Sequence, residues 1–233
     1  MTLVPGSVAL VTGASRGIGA ATAVELARLG AHVVITARIQ GGLEETDDAI
    51  RAAGGSATLL PLDLAEGAQV DAIGPSIHQR FGRLDVMVHA AGALGRLTPV
   101  AHILPDDWAA VLAANLSAAW HLIRTCDPLL RNAPSGRAVF VTDDRARSPK
   151  AYWGAYGATK AGMEHLVLTW ADEVRTTPLK VNLFDPGPTA TRLRGLAMPG
   201  EDRTVLPKPA EVAPALAGLC LPGEVRHAAL IHA

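Results

Sequence analysis

Short apolar runs alternate with longer stretches of helical periodicity along the chain. Runs at 7–12, 32–37, 57–62, 84–89, 137–142, 180–184 and a final short one at 228–231 predict strands. Helical patterns lie between them, near 17–29, 42–53, 66–80, 106–132, 155–176 and 209–219. The strand runs hold four to six apolar residues with almost no alternation, which marks strands buried on both faces, as in a parallel sheet. Strand–helix–strand repetition then predicts right-handed crossovers with helices on both faces. The expected fold class is α/β, a doubly wound parallel sheet formed by residues 1–233 as a single domain. Proline thickens at Pro186, Pro188, Pro199, Pro207 and Pro209, so 187–205 reads as a long loop within that domain. Long loops in compact domains often serve as lids, and this one is expected to border a substrate.

Composition narrows the function classes. The 233 residues carry 21 basic and 22 acidic side chains, a net charge of -1, without the basic excess of a nucleic-acid protein. Hydrophobic residues make up 49%, too many for a disordered chain. Cys126 and Cys220 lie far apart, and two cysteines supply neither a disulfide framework nor a zinc pattern. The eight histidines show no ligand spacing, so no metal site is expected. No Lys or Arg precedes Arg16, and Val8–Val11 runs straight into Thr12-Gly13, unlike a secretory signal. No apolar stretch reaches the ~18 residues of a membrane span. These features predict a soluble, cytoplasmic protein whose partner is a small molecule, with no membrane or nucleic acid involved.

Candidate chemistry begins at the first strand. Val8-Ala-Leu-Val-Thr12 leads into Gly13-Ala-Ser-Arg-Gly17-Ile-Gly19 and then into a helical pattern. Glycines there let the backbone turn tightly and approach a pyrophosphate, which lies against the positive helix N-terminus. Many strand-to-helix turns carry glycine for geometry alone. At the first such junction of a doubly wound pattern, the loop reads as the dinucleotide site of a Rossmann fold.

The set of motifs in order resembles the short-chain dehydrogenase/reductase family over nearly the whole chain. Glycines are spaced 13, 17 and 19; Asp63-Leu64 follows the third strand; His89-Ala90-Ala91-Gly92 follows the fourth. Asn115 lies in the next helix, Tyr156-Gly-Ala-Thr-Lys160 gives the Tyr-x3-Lys signature, and Pro186-Gly187 leads through Thr189 to Thr191. The resemblance implies that Gly13, Ser15, Arg16, Gly17, Ile18, Gly19, Asp63 and Leu64 bind the nucleotide. It implies that Ala90, Ala91, Gly92, Tyr156, Lys160, Pro186, Gly187, Thr189 and Thr191 complete the cofactor site. Tyr156, Lys160 and Asn115 would be catalytic, with Tyr156 protonating a carbonyl oxygen, Lys160 tuning it, and Asn115 holding a relay water. The family pairs the helices corresponding to 106–132 and 155–176 across a dimer interface, which implies a homodimer or homotetramer. Trp108, Leu112, Leu116, Trp120, Leu166, Val167 and Trp170 supply the surplus apolar positions for that interface.

The second strand ends Thr36-Ala37-Arg38. An NAD enzyme usually places Asp or Glu there to accept from the ribose 2′-hydroxyl, and Ala37 has no acceptor. Arg38, with Arg16, can instead pair with a 2′-phosphate, so NADP is expected, with NAD as second choice.

Tyr156 and Lys160 stand four apart and share a helix face. A phenol titrates near pH 10, and an adjacent ammonium with an oxidised nicotinamide ring is expected to lower that value. One position departs from the family. A Ser normally donates to the substrate oxygen thirteen positions before the Tyr, and here that place holds Asp143. Strand alternation turns the neighbouring hydroxyl, Thr142, to the opposite face. An ionised carboxylate only accepts, and would oppose polarisation of a carbonyl; held protonated by burial, it donates. A third possibility is an ion pair with Lys160 that quenches the site. The sequence thus supports an NADP-dependent oxidoreductase acting on a carbonyl/alcohol pair, with Asp143 as a fourth catalytic residue. The alternative is a dinucleotide-binding homologue with weak or no catalysis, serving as a sensor or partner subunit. His89 reads as a core histidine, both cysteines as small apolar residues in helices, and Arg145, Arg147 and Lys150 as a solvated or anion-greeting cluster.

Overall fold

The computed structural model describes residues 2–233. Seven parallel strands form one sheet in the order β3-β2-β1-β4-β5-β6-β7. They are β1 (Val8–Thr12), β2 (His32–Ala37), β3 (Ser56–Pro61), β4 (Val86–His89), β5 (Arg137–Val141), β6 (Lys180–Asp185) and β7 (Leu230–His232). The helices are α1 (Gly17–Arg28), α2 (Gln40–Ala52), α3 (Gly67–Asp71), α4 (Ile73–Phe81), α5 (Pro105–Leu112), α6 (Ala118–Asn132), α7 (Gly154–Glu173), α8 (Arg192–Ala197) and α9 (Pro209–Gly218). Every residue of β1, β4 and β5 is buried, as their unbroken apolar runs require. One core layer packs α4, α6 and α7 on the sheet through Leu10, Met87, Phe140, Leu122 and Val167. The other packs α1, α2 and α9 through Val11, Val33, Leu26, Ile50 and Leu216. The strand order reverses between β1 and β4, which opens a crevice at their carboxyl ends, where ligands of doubly wound sheets bind.

Four expectations are corrected. The helix expected over 66–80 is broken at Ala72 into α3 and α4. Pro75 has no N–H, and its ring would clash with the Asp71 carbonyl four residues back in a continuous helix. That carbonyl instead accepts from the Thr125 hydroxyl at 2.7 Å. The helix expected over 106–132 contains a wider π-helical turn, Ala113–Ser117, and the 187–205 loop contains α8 and a short 3-10 turn, Arg203–Val205. Cys126 is buried in α6, whereas Cys220 lies in the turn just beyond α9 and is equally buried. Among the described residues no helix is long and apolar enough to cross a membrane, and no cluster of His, Cys, Asp or Glu has the arrangement of a metal site.

Candidate active site

The glycine loop closes tightly on its neighbours. Gly13 adopts φ +68°, and a Cβ there would lie 2.7 Å from the Ala91 backbone. A Cβ on Gly19 would lie 2.4 Å from the Gly13 carbonyl oxygen. Only glycine permits this approach of α1 to the turn. The extended Arg16 precedes α1 without capping it by a side chain, so the first N–H groups of the helix face the crevice. Thr46 anchors the loop from α2 by donating to the Ala14 carbonyl at 2.8 Å. Ser15 stands against Gly42, and Ile18 packs on the core beneath. At the end of β2, the Arg38 guanidinium extends into solvent, 3.8 Å from the Asp63 carboxylate. Leu64 turns back into the core.

The other sequence motifs converge on this loop. Gly13 abuts Ala90 and Ala91, and Thr191 faces Gly17, its methyl lying 3.7 Å from where a Cβ would sit. Gly92 opens onto Asn115 and Lys160, both 3.7 Å from its absent Cβ. Asp185, at the end of β6, accepts from the Gly187 N–H at 3.0 Å. Thr189 is buried and donates back to the Pro186 and Gly187 carbonyls. A close-packed glycine cradle, an uncapped helix N-terminus and exposed arginines at the rim fit a phosphorylated dinucleotide.

Asn115 owes its aim to the π-helical turn. Its Oδ1 accepts from the Ala93 N–H at 2.7 Å, and its Nδ2 donates to the Ala93 carbonyl and to Thr159 Oγ1. The amide is thereby spent as a donor, bracing the loop after β4. His89 is fully buried, as expected of a core residue, and meets Thr12 Oγ1 at 2.8 Å through Nδ1. Its Nε2 has no partner, and burial lowers its pKa to about 3, keeping the ring neutral.

Lys160 is buried and donates to the Val141 carbonyl at 2.8 Å. Desolvation lowers its pKa to about 8 against the opposing pull of Asp143 and Glu164. The quenching ion pair with Asp143 does not form, because the ammonium is committed to β5 instead. Tyr156 is also buried, edge-on to Trp153, and its hydroxyl donates to Asp143 Oδ2 at 3.4 Å. Burial, then the charges of Asp143, Asp185 and Asp144, raise the phenol pKa rather than lower it. Without a nicotinamide ring beside it, burial and the nearby carboxylates outweigh Lys160, whose ammonium bonds to the backbone of β5. A raised value keeps the proton on Tyr156, the state a proton donor requires.

Asp143 sits just beyond β5. Its Oδ1 accepts from the Arg145 N–H at 2.9 Å, capping a 3-10 turn, while Oδ2 faces Tyr156. Burial raises its pKa, with Arg145's N–H and Lys160 opposing and Asp144 adding to the rise. Thr142 points the other way, as alternation requires, donating to Glu164 at 2.5 Å. Leu94, Leu97, Leu193 and Met198 pack with Trp153, Tyr156 and Ala197, so the walls around the hydroxyl are apolar.

One cluster escaped the sequence analysis. Arg147 bonds Glu164 of α7 through one guanidinium nitrogen and Asp185 of β6 through the other, at 2.5 Å to the latter. It thereby ties the turn after Asp143 to the helix of Tyr156 and to the Pro186–Gly187 segment. Arg147 is neither simply solvated nor free to greet an anion. Its partners lie 17 and 38 residues away, and no spacing rule links them.

The chain is similar in sequence and in structure to known proteins. A sequence family described as short chain dehydrogenase matches residues 7–201. The Escherichia coli oxidoreductase YciK is 34% identical over 208 residues, covering 88% of this chain and 82% of that one. A solved short-chain dehydrogenase from Pseudomonas syringae superposes with TM-score 0.94 at 34% identity, over 99% of this chain and 95% of the other. Another, from Shigella flexneri 2a and complexed with NADP, gives 0.93 at 32% identity, over 99% and 98%.

Proposed function

This chain belongs to the short-chain dehydrogenase family, whose members are NAD(P)-dependent oxidoreductases, and from that premise we propose that it reduces a carbonyl compound with NADPH, Tyr156 giving the proton. The observation that carries this reading is the Tyr156 hydroxyl, held beside Asp143 Oδ2 at 3.4 Å on the same helix as Lys160, which lies with Asn115 against Gly92. When bound, the dinucleotide supplies hydride to the carbonyl carbon. Tyr156 protonates the oxygen, and protonated Asp143 donates a second hydrogen bond to it. Lys160 holds positive charge behind the phenol and toward the nicotinamide ribose, while Asn115 fixes the loop that borders them. Residues 187–205 form the substrate side of the same domain, with α8 as a cover over Tyr156. Consumption of NADPH against a panel of apolar aldehydes and ketones tests the reading; no consumption with any of them overturns it.

Preference for NADP is supported by Ala37 at the end of β2, by exposed Arg38 and Arg16, and by the Shigella relative's complex with NADP. Arg38 pairs with the 2′-phosphate, exchanging its loose contact with Asp63 for a doubly charged acceptor. Arg38→Ala is expected to weaken NADPH binding by about ten- to a hundredfold, the weight of one or two charge-assisted hydrogen bonds. NADH binding should hardly change. Calorimetric titration of both cofactors checks this, and equal affinities in the unaltered protein contradict it.

The chain is further proposed to assemble with copies of itself through α5, α6 and α7. Trp108, Trp120 and Leu168 are exposed on these helices. Val167 and Trp170, counted toward this face from sequence, instead belong to the core, where Trp170 meets Phe140 edge to face and donates to Asp127 at 2.7 Å. Light scattering at micromolar concentration should give a dimer or tetramer. A monomer would contradict the assignment.

A further inference from the structure

We propose that Arg147 is a positioning residue of the cofactor site: by bridging Glu164 and Asp185, it sets where segment 186–191 stands against Tyr156 and Lys160. Arg147 touches neither cofactor nor substrate in this role, which rests on the reading above in running NADPH from the glycine loop to Tyr156.

Segment 186–191 spans the two halves of the site. At its far end Thr191 faces Gly17 of the glycine loop, with its methyl 3.7 Å from where a Cβ would sit. At its near end Asp185 closes β6 beside the turn after β5. Gly187 adopts φ +62°, and a Cβ there would meet nothing within 4 Å, so that side of the backbone is open. Several of its hydrogen bonds run within the segment itself. The Gly187 N–H donates to Asp185 Oδ1 at 3.0 Å, and the Thr189 hydroxyl donates to the Pro186 and Gly187 carbonyls. Such bonds shape the segment without fixing it to α7. Arg147 supplies the link.

The link is a single planar fork. Arg147 ends the 3-10 turn that Asp143 begins, and its guanidinium bonds Glu164 and, at 2.5 Å, Asp185 Oδ2. Glu164 lies one helical turn beyond Lys160 and also accepts from Thr142 of β5 at 2.5 Å. β5, its following turn, α7 and the end of β6 are thus joined through one side chain. The point charge of a lysine does not reproduce that geometry. Both carboxylates are buried, whereas the guanidinium is partly exposed. Of the nearby cations, Lys160 is committed to the Val141 carbonyl, and His232, 3.8 Å from Asp185, is mostly exposed.

Arg147 does two things that must be separated: it compensates buried charge, and it fixes position. Removing one partner of a buried pair leaves the other uncompensated, which damages a protein whatever its function. Arg147→Lys keeps the charge and loses the fork. Arg147→Met/Glu164→Gln/Asp185→Asn removes the fork together with both charges it compensates. The new amide oxygens still accept from Thr142 and from the Gly187 N–H.

The test is calorimetric titration of both variants with NADPH and with adenosine 2′,5′-bisphosphate, a fragment that carries the 2′-phosphate and no nicotinamide. NADPH oxidation with a carbonyl substrate accompanies it. Both variants should bind the bisphosphate as the unaltered protein does, which shows that the glycine cradle is intact. NADPH should bind about tenfold more weakly, within the usual range for coupling between sites. Turnover should fall about 10²-fold, the cost of a small misplacement caused away from the reacting atoms. Native NADPH affinity and turnover in either variant, or equal losses for NADPH and the bisphosphate, overturns the positioning role. If the unaltered protein reduces no carbonyl but the variants still lose NADPH and not the fragment, the carbonyl reading falls and the positioning role stands. Failure of the unaltered protein to bind NADPH overturns both.

Discussion

Replacing Tyr156 with Phe is expected to lower carbonyl reduction by about 10²–10⁴-fold at every pH, the usual weight of a general acid. The ring packs edge-on to Trp153 among the apolar walls of the site, and Phe keeps that packing. What is lost is one hydroxyl, which bonds to Asp143 Oδ2 among the described residues. Burial and neighbouring carboxylates hold the phenol protonated in the unaltered protein, so the proton donor is present across the working pH range and its loss is felt throughout it. Steady-state rates of NADPH consumption, with cofactor affinity measured separately, check this. A drop confined to substrate affinity would assign Tyr156 to binding alone.

The second large effect concerns Asp143. Its carboxyl pKa is raised chiefly by burial, so it stays protonated above the usual carboxylate range. A protonated Oδ2 donates to the carbonyl oxygen; an ionised one opposes it. Carbonyl reduction should therefore be full below the raised value and decline as pH rises through it. Serine at the same position supplies a hydroxyl that does not titrate in this range. Asp143→Ser should flatten the profile and raise turnover by up to about 10²–10³-fold at pH values where the native acid is ionised, the weight of a restored donor at the reacting oxygen.

The topology and the glycine cradle were legible because each rests on local sequence. The unbroken apolar runs of β1, β4 and β5 require strands buried on both faces, and Gly13-x3-Gly17-x-Gly19 falls at the junction of β1 and α1. Tyr156 and Lys160 share a face of α7 through their spacing alone. Three features were not legible, for physical reasons. The π turn around Asn115 leaves the apolar pattern almost unchanged while it alters the aim of one amide. Nearly every face of α7 is apolar, so its pattern does not separate core Trp170 from exposed Leu168. The Arg147 link to Glu164 and Asp185, and the bond of Lys160 to Val141 in place of Asp143, arise only when β5, β6 and α7 come together. The break at Ala72 was written in the sequence as Pro75, but periodicity on both sides of it favoured one helix.

The central claim is that Tyr156 and a protonated Asp143 together act on the substrate oxygen. Its most direct test is the pH profile of NADPH-dependent carbonyl reduction in the unaltered protein, Asp143→Ser and Tyr156→Phe. The expected result is a rate that falls with rising pH in the unaltered protein, a flat and higher rate in Asp143→Ser, and almost none in Tyr156→Phe. Activity confined to Asp143→Ser would show that the natural chain binds the dinucleotide without reducing carbonyls, and activity surviving in Tyr156→Phe would contradict the catalytic assignment itself.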